Sequence, residues 1–176
     1  PFGSKSYAFV SEPGTVGGVL LGTRLYNGES GILGTELGVV QGWNNLRDNN
    51  DSKSLMGTVR WRTADMQTWI DYEFSLGDEQ NDSFSDVQAP TSRLVSADGQ
   101  FKQQHSLNGW HRFDSNWSMG AEVVYGHQDG DGKASTVDII NGPGFDGAHW
   151  WGANAVLTYQ QRPDLSYSVR AEHFAD

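Results

Sequence analysis

The sequence predicts an all-β protein, an antiparallel transmembrane β-barrel of which this chain carries about eight strands, and three observations predict it. Alternation with period two recurs along the chain, while no stretch keeps a helical period. The candidate strands are mostly ten residues or longer, against about 5–6 in the sheets of soluble proteins. The connections alternate between tight and long, as in outer-membrane barrels with short turns at one end and long loops at the other.

Taken in order, each strand separates its charges from its apolar residues. Thr15 to Tyr26 sets Val19, Leu21 and Leu25 against Arg24, and Ile32 to Trp43 sets Leu33, Leu37 and Val39 against Glu36. Ser54 to Thr63 opposes Leu55, Val59 and Trp61 to Arg60 and Arg62; Gln67 to Leu76 opposes Ile70, Tyr72 and Phe74 to Asp71 and Glu73. Phe101 to Phe113 carries Lys102 and Arg112 on one parity but fits least well, because His105 and His111 fall on its supposedly apolar side. Trp117 to Gln128 sets Met119, Val123 and Tyr125 against Glu122. Ala148 to Gln160 aligns Trp151, Leu157 and Tyr159, and Leu165 to Phe174 sets Tyr167 and Val169 against Arg170 and Glu172. In a strand successive side chains point to opposite faces, so this sorting predicts one charged and one uncharged face throughout.

The connections follow the same logic. Asn27 to Gly31, Ala64 to Met66, Asp114 to Asn116 and Gln161 to Asp164 are short, whereas Asn44 to Lys53, Gly77 to Gln100 and Asp129 to Gly147 are long and polar. All five prolines fall outside the strands, as ladder hydrogen bonding requires. All seven Trp lie near predicted strand ends, where the aromatic girdles of a membrane barrel belong. Pro1 at the start and Asp176 directly after a strand-like run lead to the expectation that residues 1–176 form part of one barrel domain truncated at both ends.

A net charge of −10 excludes nucleic acid as a natural partner, since phosphate binding calls for a basic patch. The absence of Cys removes disulfide frameworks and thiolate metal sites. No run approaches the roughly 20 apolar residues of a spanning helix, which leaves membrane-crossing strands untouched as a reading.

Leu37-Gly38-Val39-Val40-Gln41-Gly42-Trp43-Asn44 with Asp48-Asn49-Asn50, then Leu76-Gly77-Asp78-Glu79-Gln80, Trp150-Trp151-Gly152 and Val169-Arg170-Ala171-Glu172-His173-Phe174-Ala175-Asp176, resemble the putative β-barrel porin-2 family, the OmpL-like outer-membrane porins. The resemblance covers most of the chain in the right order. It implies a bacterial outer-membrane location, outer-membrane lipid and small hydrophilic solutes as partners, and a porin-type channel for passive diffusion. A homo-oligomer is left open. The pore lining expected on this reading is Arg24, Glu36, Arg60, Arg62, Asp71, Glu73, Lys102, Arg112, Glu122, Arg170 and Glu172, whose mixed signs would set a field across the lumen.

Other chemistry finds little foothold. Asp129-Gly130-Asp131-Gly132 opens like a calcium loop, but Lys133 and Ile140 stand where later oxygen ligands belong. The five histidines lack metal-site spacing, and there is no nucleophile elbow or phosphate loop. The acids could form the carboxylate pair of a glycosidase, yet they come mixed with Arg on the same parity. The expectation is therefore no enzyme, no cofactor and no metal. Two other functions stand beside the channel: a surface-binding or adhesion barrel that acts through its long loops, and a soluble carbohydrate-binding β-sandwich that stacks sugars on Trp.

Overall fold

A computed structural model of the chain describes residues 16–41, 52–78, 101–130 and 147–176. They form eight strands: β1 Gly18–Gly28, β2 Gly31–Val40, β3 Ser54–Thr63, β4 Thr68–Asp78, β5 Phe101–Arg112, β6 Trp117–Gln128, β7 Ala148–Arg162 and β8 Leu165–Ala175. Alternating Val, Leu, Thr and aromatic residues favour this pleated state, and antiparallel neighbours joined by tight turns need no crossover.

All eight strands belong to one sheet in the order β1-β2-β3-β4-β5-β6-β7-β8, and every pairing is antiparallel. The ladder is regular except at Arg24/Tyr26 in the β1–β2 pair and Gln160/Arg162 in the β7–β8 pair, where the register shifts. At the turn end Asp114 Oδ1 accepts the backbone N–H groups of Asn116 and Trp117 at 2.7 and 2.8 Å. Asp65 Oδ1 likewise accepts from the Gln67 N–H at 3.0 Å, and Met66 takes a positive φ of 58°. These short aspartate-capped turns hold their strands in register by local chemistry.

The expectation of a closed transmembrane barrel is corrected by this topology. Among the described residues β1 pairs only with β2 and β8 only with β7, so the sheet is open. Period-two patterning reports which way each side chain points, whereas closure depends on strand tilt and stagger around the whole sheet. An open sheet encloses no lumen, which removes the diffusion channel and the passage of solutes through it. Its two edges carry unpaired backbone groups that hydrocarbon does not tolerate, so the membrane-embedded reading, with outer-membrane lipid as partner and the outer membrane as location, falls with the barrel.

The expected strand starts and ends at Thr15 and Trp43 lie outside the described residues, as do Asp131 and Gly132 of the calcium-like run and the interiors of the three long connections. The flanking strand ends are described. Val40, Ser54, Asp78, Phe101, Gln128 and Ala148, which bound the long connections, stand together at one end of the antiparallel ladder.

Candidate functional site: two decorated faces

The register brings the charged residues of different strands into rows. One row runs across the whole sheet through directly opposed residues: Arg24, Gly34, Arg60, Asp71, Asn108, Glu122, Asn154 and Glu172. The next row toward the long connections places Glu36, Thr58, Glu73 and Ser106 opposite one another. All eleven residues expected to line a pore therefore share one face of an open sheet.

At its centre is a network of ions. Asp71 is only 9% exposed and accepts from Arg62 Nη2 at 3.0 Å, with Arg60 Nε 3.8 Å away. Arg60 also reaches Glu36, at 3.4 Å. Charge-assisted forks of this kind suit guanidinium and carboxylate geometry. Farther along, Asn154 Nδ2 donates to Glu122 Oε2, and Arg170 pairs with Glu172 at 3.4 Å. Glu73 sits in the same field without an ion pair among the described residues. Burial pushes its carboxyl above the ordinary value of 4.5, Arg60 pulls it back, and the charges of Asp71, Glu122 and Glu36 push it up again.

The tryptophans do not form the expected girdles on one face. Of the six described, Trp61, Trp117 and Trp151 share the uncharged face, while Trp69, Trp110 and Trp150 share the charged one. Each of the latter three lies under a cation: Arg62 is 5.0 Å from the Trp69 ring centre, Arg112 5.3 Å from Trp110, and Lys102 5.6 Å from Trp150. The electron-rich ring faces attract these cations, so three Trp act as polar-face partners.

On the uncharged face, five rings extend across β4 to β8. Tyr72 stacks on His105 at 6.0 Å, His105 on Tyr125 at 6.5 Å, Tyr125 is opposite Trp151, and Trp151 packs on His173 at 4.8 Å. His105 Nδ1 meets the Tyr72 hydroxyl at 2.7 Å, and Nε2 meets Gln103 Oε1 at 3.2 Å. Donation from Nε2–H to Gln103 leaves Nδ1 to accept from the tyrosine, so a neutral imidazole satisfies both bonds. This explains the misfit of His105 in the sequence pattern: its position on the apolar parity makes it a polar link within an aromatic row. Nearer the long connections, His127 Nε2 lies 2.9 Å from Asp129 Oδ1.

Sequence reasoning places the charged row but misses the aromatic one. The row depends on diagonal neighbours, which only the register supplies; its trace in the sequence is the shared parity of Tyr72, His105, Tyr125 and Trp151. Among the described residues no three His, Asp or Glu side chains are grouped to hold a metal ion.

Comparison with curated proteins and with solved structures gives no match. Residues 2–176 do match a family model, that of "Putative beta-barrel porin-2, OmpL-like", and the chain belongs to this family.

Proposed function

We propose that this chain is a non-catalytic binding module that holds carbohydrate on the uncharged face, in the half of the sheet nearest its long connections. The observation that carries this reading is the row Tyr72, His105, Tyr125, Trp151 and His173, of which Tyr125 and Trp151 are each 46% exposed. Exposed aromatic rings offer an apolar platform for the C–H face of a sugar, and the exposed His173 imidazole offers hydrogen bonds to its hydroxyls. A contiguous exposed apolar patch also marks an interaction surface. No bond is made or broken in this reading; the ion network on the opposite face serves to hold the sheet.

The experiment is a titration of the full chain against a panel of soluble oligosaccharides, followed by intrinsic tryptophan fluorescence and calorimetry. At least one sugar should bind, and Trp151→Ala should weaken it about tenfold or more, in line with stacking worth over 1 kcal/mol. Trp117→Ala, on the same face at the other end of its strand, should bind as the parent does. A panel without a binder, or equal losses from both variants, refutes the reading.

A further inference from the structure

The charged face holds an open depression of about 120 Å³ between β3, β4 and β5, with Leu20 of β1 at its margin. Its lining combines the apolar Leu20 and Met56 with Thr58, Glu73, Gln104 and Ser106. Gln104 is 3% exposed, and its Oε1 is buried without a hydrogen-bond partner. A buried carbonyl oxygen with no donor costs about 1–3 kcal/mol, and native proteins rarely leave one so. The missing component is a donor.

The charge around the depression selects the kind of donor. Glu36 and Asp71 share Arg60, and Asp71 takes Arg62 as well, which leaves the Glu73 carboxylate as the acid without its own cation among the described residues. An anion would meet that carboxylate, and a neutral alcohol would leave its charge uncompensated. We propose that this depression binds a small organic ammonium ion, its N–H groups donating to Gln104 Oε1 and the Glu73 carboxylate while its hydrocarbon body lies against Leu20 and Met56. Three ammonium donors match two such acceptors with one to spare for Thr58 or solvent. The partial burial of Glu73 strengthens the ion contact over that in water. Burial raises the affinity of Glu73 for protons, and the neighbouring carboxylates Asp71, Glu122 and Glu36 add to it against the pull of Arg60.

This site lies on the face opposite the aromatic row and shares no residue with it, so it stands or falls independently of carbohydrate binding. The test is a titration of the full chain at neutral pH with n-butylammonium chloride, n-butanol and sodium butyrate, followed by calorimetry or NMR shifts. Butylammonium should saturate a single site, with butanol and butyrate about tenfold weaker or more. Glu73→Gln and Gln104→Leu should each weaken butylammonium about tenfold, whereas Arg24→Gln, on the same face but outside the depression, should not. Should Gln104→Leu lose its cooperative melt, Glu73→Gln decides alone. Absence of saturation, butanol binding as well as butylammonium, or full affinity in Glu73→Gln each overturns the proposal.

Discussion

The two faces of this sheet reverse the usual relation between polarity and exposure. On the charged face Asp71, Ser75, Gln104, Ser106 and Gln128 are buried, while on the uncharged face Val19, Leu21, Val123, Tyr125 and Val169 are exposed. In β6 the alternation is nearly strict: Trp117, Met119, Ala121, Val123 and Tyr125 are open, and Val124, Gly126 and Gln128 are closed. Exposure here follows the side of the sheet and the crowding of its neighbours. The charged face thus carries the ion pairs of the sheet, and the uncharged face carries the larger exposed apolar surface.

The sharpest way to break that comparison is to remove the anion at the centre of the charged face. Asp71→Ala leaves Arg60 and Arg62 side by side without their shared carboxylate, and should cost about 2 kcal/mol in urea unfolding, as for lost hydrogen bonds to charged groups. A smaller change should come from Glu73. Its carboxyl holds its proton more tightly in the fold than in the unfolded chain, so its contribution to stability is fully present below the ordinary value of 4.5 and is lost as pH rises through the raised folded value. Glu73→Gln should therefore melt above the parent at neutral pH and converge with it in acid, as thermal scans at several pH values would register. An unchanged gap across pH would show that the carboxyl feels no such burial. The smallest effect belongs to the uncharged face: Val123 is 50% exposed, and Val123→Arg should change stability by no more than about 0.5 kcal/mol, the usual range for open surface positions. A loss several times larger would mean that this face is covered, and the contrast between the faces would vanish.

What could be read from the sequence is what depends on local periodicity. The bounds of β3 and β6 are those that alternation predicts, and the others differ by a few residues at their ends. Arg24, Arg60, Asp71, Glu122 and Glu172 fall on one face because each was sorted by parity within its own strand, a two-residue property. Closure was not legible. Nothing in the alternation of Leu21 with Gly22 or of Val169 with Arg170 states whether β1 and β8 ever meet, because tilt and stagger accumulate over all the strands. The tryptophans misled for a related reason: nearness to a strand end does not fix the face, and Trp69, Trp110 and Trp150 turn toward cations. Gln104 carries no charge to betray it, and its unmet oxygen emerges only once its neighbours are in place.

The register shift in β1 has a consequence for life in a crowded cell. An unpaired margin of eleven residues, such as that of β1 among the described residues, is a template on which a stray extended chain can grow as an added strand. The irregularities at Arg24/Tyr26 and Gln160/Arg162 fall in the outermost pairings, while the five inner ones run without interruption. A bulge adds local twist and throws the hydrogen-bonding groups out of even spacing. An incoming strand would have to follow that distortion along β1, where the extra residue Leu25 lies on the margin itself, so the kink that disturbs the ladder also makes this margin a poor seed for aggregation.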